Sequence, residues 1–77
     1  PDISIDFNLS HKENVQLTLY NLKGQKVKNI YKGELDKGNH HFIFNSNENG
    51  NRFASGIYFI KFSGKTQKKI RKVILLK

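Results

Sequence analysis

Cysteine is absent from this 77-residue chain. No disulfide can brace its thin core, and no thiolate can act as nucleophile or metal ligand. The absence argues for neither an oxidising nor a reducing compartment. No run of about 18 apolar residues occurs, so no helix crosses a bilayer. Apolar residues never recur at steps of three and four for long, which excludes a helix of useful length. Carboxylates are scarce and confined: Asp2, Asp6, Glu13, Glu34, Asp36 and Glu48 all precede position 49. Of the 14 basic residues, half lie between Lys61 and Lys77, and the net charge is +8. Such asymmetry suits an anionic partner: nucleic acid, a lipid or lipopolysaccharide surface, or an acidic protein channel. It equally suits a solvated edge strand kept from self-pairing by lysines.

What is present is strand pattern. Ile3, Ile5, Phe7 and Leu9 alternate with Ser4, Asp6 and Asn8, as one face of a half-buried strand requires. Residues 10–14 form a polar turn. Val15, Leu17 and Leu19 alternate with Gln16, Thr18 and Tyr20, and Asn21-Leu22-Lys23-Gly24 supplies turn chemistry. A third, weaker strand is expected over 27–31, with Lys26 and Lys28 on its solvent side, followed by a polar loop over 33–39. His40, Phe42 and Phe44 mark a fourth strand, and 45–51 is too polar to pack. Residues 57–62 and 68–76 flank the turn Ser63-Gly64-Lys65-Thr66 as a terminal β-hairpin.

Six or seven short strands in one small domain predict an all-β fold, a small antiparallel Ig-like β-sandwich. At this size roughly 60% of the extended surface is buried. The inward residues are expected to be Ile5, Phe7, Leu9, Val15, Leu17, Leu19, Val27, Phe42, Phe44, Tyr58, Ile60, Phe62, Val73 and Leu75. Val73-Ile74-Leu75-Leu76 is apolar on both parities. Either both faces of the last strand are covered, or one is exposed and sticky.

Catalysis finds no support. His40 and His41 are adjacent, so on a strand they point to opposite faces and do not chelate one metal. Ser10 beside His11, and Ser55 before Gly56, lack the nucleophile, base and orienting group of a hydrolase. No carboxylate pair is placed for glycoside hydrolysis. The Asn-rich stretch 45–50 holds one carboxylate where a calcium loop supplies several, and is read as a turn. No glycine-rich loop follows a strand and opens a helix. Nucleic-acid binding needs basic residues among exposed stacking aromatics. Tyr58, Phe59 and Phe62 lie near Lys61, Lys68 and Lys69, but they alternate as core residues do, so no nucleic acid, metal or cofactor is expected.

Several segments resemble one family. Val15, Leu17, Tyr20, Asn21, Gly24 and Val27 fit a V-x-L-x-[IV]-Y-[DN]-x-x-G-x-x-V pattern, with Leu19 at its [IV] position. Leu35, Gly38 and His40 match L-x-x-G-x-H, and residues 54–59 match A-S-G-[VI]-Y-F. The end resembles K-[MV]-[IL]-L-x-K, and residues 3–9 resemble T-I-x-F-x-L. Together these resemble the C-terminal sorting domains of the type IX secretion system. Phe44 stands where that family usually has tryptophan, and its Asn-Pro stretch before the first strand is reduced to Pro1. The Ig-like module of flagellar hook-capping proteins shares much of the pattern. The resemblance implies one sorting-type Ig-like domain over residues 1–77, carried by a larger secreted protein of a Bacteroidetes-type bacterium.

The implied role is a non-catalytic secretion signal, read by an outer-membrane translocon after transit of the periplasm, with cargo reaching the cell surface or medium. A surface sortase and anionic lipopolysaccharide are implied as further partners, and edge strands favour a homodimer. Lys68, Lys69, Arg71 and Lys72 are expected to steer the domain to an acidic receptor, with Val73, Ile74, Leu75, Leu76 and Lys77 completing the contact. Gly24, Gly38 and Gly56 are expected to set turns. The alternatives are a structural Ig-like interaction module, either hook-capping-like or an appendage of an extracellular hydrolase, and a carbohydrate-binding sandwich using Tyr20, Tyr31 and Phe59.

Overall fold

A computed structural model describes residues 2–45, 53–65 and 67–76 of the chain. It contains six strands: β1 (Asp2–Leu9), β2 (Glu13–Asn21), β3 (Lys26–Leu35), β4 (Gly38–Asn45), β5 (Gly56–Ser63) and β6 (Lys68–Leu75). All pairings are antiparallel. β1 and β4 make a two-stranded sheet, and the other four run in the order β3-β2-β5-β6. The two sheets pack as a small β-sandwich. The Asn-rich stretch 46–52, Thr66 of the last turn and Lys77 lie outside the described residues.

Alternation places the core. Val15, Leu17 and Leu19 of β2 share one face, and Leu17 and Leu19 stand opposite Phe62 and Ile60 of β5. These five are buried, with Ile5, Leu9, Phe44, Tyr58 and Leu75. Phe7, Val27, Phe42 and Val73 are half-buried against them. The Phe7 and Phe62 rings are 4.9 Å apart and the Tyr31 and Phe42 rings 5.1 Å apart. Thus β1 covers β5 while β4 covers β3.

The third strand is longer than its sequence pattern predicts. It runs ten residues, and the expected loop over 33–39 shrinks to Asp36 and Lys37. Among the described residues β3 has a neighbour strand on one side only, so its polar residues meet water rather than a second strand. Its parity also breaks. Leu17 pairs with Tyr31 but Thr18 with Asn29, which leaves Ile30 as an inserted residue, the signature of a β-bulge. A second shift, between Leu19 and Tyr20, skips Val27, and the two together bring Lys28 opposite Leu19 while Val27 still packs inward. Tyr31 packs against the core instead of facing solvent, and Lys28 holds its ammonium 5.3 Å from the centre of the Phe44 ring.

Two turns fix the register. Asn21 Oδ1 accepts the N–H groups of Lys23 and Gln25, and the Gly24 N–H donates to the Asn21 carbonyl. Gly24 has φ +84°, a conformation that costs a residue with a Cβ. Gly38 and Gly56 each open a strand, β4 and β5, also at positive φ. The β5–β6 turn depends on Glu13, which the sequence pattern places in a polar turn. Glu13 is instead buried at the start of β2, where its Oε1 accepts the Lys65 backbone N–H at 2.7 Å. A Cβ on Gly64 would lie 2.5 Å from that same Oε1. At the other end of β5, the Tyr58 hydroxyl donates to the Ala54 carbonyl at 2.7 Å.

Glu13→Ala removes a buried acceptor and is expected to cost about 1–2 kcal/mol. Gly64→Ala pushes that same acceptor oxygen aside, and its cost is at most the hydrogen bond to Lys65 that is lost when the flexible Glu13 side chain gives way. Because one atom causes both effects, the double variant should be destabilised by less than the sum of the singles in urea titrations. Full additivity would dissociate the carboxylate from the turn.

Candidate docking surface

β6 pairs with β5 from Lys68 opposite Ser63 to Leu75 opposite Gly56, and with nothing else among the described residues. Alternate residues on its outer side therefore present backbone N–H and C=O groups to solvent. Lys68, Lys69, Arg71 and Lys72 are exposed. The ion pairs among the described residues are Lys12 with Glu34 and Asp36, and His41 with Asp6. None involves β6. No carboxylate occurs on β5 or β6 at all, so the edge is uniformly cationic.

Strand alternation divides the expected site residues into two groups. Lys68, Lys72 and Ile74 stand on the outer face, away from the smaller sheet. Lys69, Arg71, Val73 and Leu75 stand on the inner face, opposite Phe62, Ile60, Tyr58 and Gly56. The four cations are thus two pairs on opposite sides of one strand. Leu75 cannot contribute to a receptor contact, because it is 1% exposed and belongs to the core. Val73 is half-buried against that core. The apolar residues of the C-terminal segment that remain available are Ile74 and Leu76, at 58% and 76% exposure. Lys77 falls outside the described residues.

The outer face carries more than was expected from the sequence. Ile70 is 69% exposed and pairs with Lys61, while Lys72 pairs with Phe59 and Ile74 with Ile57. Phe59 continues the row to Tyr20 of β2. Tyr20, Phe59, Lys61 and Ile70 line one shallow depression with the exposed Leu22. Apolar and cationic side chains therefore interleave across three strands. Ile70 shares parity with Ile74 and Leu76, and that spacing was the signal available for it. Lone exposed apolar residues are ordinary, whereas a contiguous row on one face marks a contact surface.

Other candidate groups are accounted for locally. His40 donates through Nε2 to the Asp36 carbonyl at 2.7 Å and stacks near Phe7. His41 points to the opposite face and pairs with Asp6 through Nδ1. Among the described residues no three His, Cys, Asp or Glu side chains gather for a metal. Of the aromatics considered for sugar binding, Tyr31 packs inward, and Tyr20 and Phe59 are half-buried.

A family model described as a secretion system C-terminal sorting domain matches residues 2–76. No curated protein matches the chain, and no solved structure matches it.

The division between core and surface at the chain's end is directly testable. Leu75→Ala is expected to cost about 2–4 kcal/mol. Leu76→Ser should change stability by no more than about 0.5 kcal/mol. Equal effects in thermal melts would contradict the assignment of Leu75 to the core.

Proposed function

Since the chain belongs to the C-terminal sorting domains of the type IX secretion system, we propose that β6 and the outer face beside it are the surface its secretion machinery recognises. Domains of this family are sorting signals: cargo bearing one crosses the periplasm and is exported to the cell surface or medium. They engage the type IX machinery, and such signal domains are generally non-catalytic. The family match does not favour a hook-capping or appendage role for this chain.

One observation carries the reading: among the described residues, the cationic strand at the sheet edge has an open backbone on one side and no carboxylate partner. Strand addition supplies affinity through main-chain hydrogen bonds, with side-chain pockets supplying specificity. Lys68, Lys69, Arg71 and Lys72 attract an acidic receptor over distance and speed the encounter. Ile70, Ile74 and Leu76 then give up their exposed area to it, at about 25 cal/mol per Å². Leu75 acts from within, clamping the strand so that the receptor meets a preorganised edge rather than a loose tail.

The proposal includes the finer partners that the resemblance implies. A surface sortase acts on the exported cargo, and anionic lipopolysaccharide is the attachment acceptor. A homodimer through two β6 edges is the competing arrangement, opposed by the like charges that it would bring together. The domain is taken as a single unit over residues 1–77, attached to a larger secreted cargo.

Replacing Lys68, Lys69, Arg71 and Lys72 together by glutamine should cut export of a reporter fused to this domain by about tenfold or more. The circular dichroism spectrum and melting temperature should stay close to wild type, because all four side chains are exposed. Export at the wild-type level by the folded variant would overturn the proposal.

A further inference from the structure

The smaller sheet is too narrow for the larger one. β4 lies over β3 and β1 over β5, as the ring contacts require, which leaves the inner face of β6 uncovered at Lys69 and Arg71, the half away from the buried Leu75. A groove of about 200 Å³ results. Ile60 and Phe62 form its floor, Ile5 and Phe7 of β1 one wall, and Lys69 and Arg71 of β6 the other. β1 is bonded to β4 along its whole length and to no other strand among the described residues. Every second residue of β1 therefore turns its N–H and C=O toward this side.

We propose that this groove accepts an extended acidic peptide of a partner protein, laid against β1 as a third strand of the smaller sheet, with carboxylates on Lys69 and Arg71. Strands in a sheet lie about 4.8 Å apart and packed sheets about 10 Å apart. One added strand beyond β1 therefore lies above β6, where cover is lacking. Its inward side chains meet the apolar floor on one side and the two cations on the other. Its outward side chains face water and are unconstrained, so the recognised pattern is alternating, with aliphatic and acidic residues sharing one parity.

Charge selects the occupant. Lys69 and Arg71 sit at inner-face positions opposite Phe62 and Ile60, where β2 and β5 carry apolar residues. Neither cation has a carboxylate within ion-pair distance among the described residues. Asp6 lies at the rim, but its carboxylate is engaged by His41. A second copy of β6 would bring lysines against these cations, and like charges placed opposite one another destabilise a pairing. An acidic strand relieves both the missing cover and the unpaired charge. This site lies on the opposite side of β6 from Lys72 and Ile74, and it shares Lys69 and Arg71 with the surface proposed for the secretion machinery.

The test is a nitrogen-15 NMR titration of the 77-residue chain with a synthetic peptide about eight residues long, a typical strand. The peptide alternates serine with valine or glutamate. Control peptides carry lysine for glutamate, or proline at the centre. The expected result is saturable shifts of β1 amides and of Lys69 and Arg71, at least about tenfold weaker for either control. Lys69→Gln with Arg71→Gln should weaken binding about tenfold, whereas Lys68→Gln with Lys72→Gln should leave it within about twofold. Circular dichroism establishes that both double variants are folded. Shifts confined to the outer face, equal binding of the lysine peptide, dimerisation in place of peptide binding, or no saturable shift would each overturn the proposal.

Discussion

The pairing of β6 with β5 is the interaction on which the rest depends. It holds a strand with five consecutive exposed residues, four of them cationic, in a single geometry. Burying Leu75 in the core supplies much of that hold, since a fully buried leucine contributes about 1.5–3 kcal/mol. The other end is held by the turn, where Glu13 reaches across from β2 to the Lys65 N–H. Between these fixings the strand packs only Val73 against the core. It is anchored at its ends and open along its middle, which suits a surface meant for another molecule.

That arrangement explains a tension in the sequence. A segment rich in lysine with like charges close together should repel itself and fray. Alternation relieves part of the strain by sending Lys68 and Lys72 to one face and Lys69 and Arg71 to the other. It also gives the strand two different chemical sides. The outer side interleaves cations with Ile70, Ile74 and the row from Phe59 to Tyr20. The inner side sets two cations beside an apolar groove. Lysines at a sheet edge also discourage unwanted self-association, so the residues proposed for recognition would serve solubility as well.

Much of this was legible in the sequence because period-two alternation is a direct consequence of strand geometry. The residues of β1, β2 and β5 that alternate as apolar are the ones that fill the core, and the terminal hairpin is where its glycine-containing turn places it. The failures have specific causes. Register shifts at Ile30 and Val27 each insert one residue, and no propensity argument locates them, so Lys28 is expected on the solvent side when it stands opposite Leu19; Tyr31, by contrast, shares the parity of Val27 and packs inward with it. Glu13 was read as a turn residue because a buried carboxylate is recognised only once its backbone donor, 52 positions away, is in place. The end of β6 is apolar on both parities, yet the inward assignment of Val73 and Leu75 holds, with Ile74 and Leu76 turned out; what fails is counting the buried Leu75 as a receptor contact as well. Ile70 was overlooked because the lysines around it dominate the composition.

The central claim is that β6 is structured yet half-unpaired: fixed to β5 on one side and open on the other. Residue-resolved amide hydrogen exchange on the isolated domain tests it most directly. The account predicts alternating protection along β6, with amides facing β5 slow and those facing outward near the rate of an open chain. Uniform slow exchange would mean the edge is already covered, and uniform fast exchange would mean that the strand is not held. Either result would contradict the account.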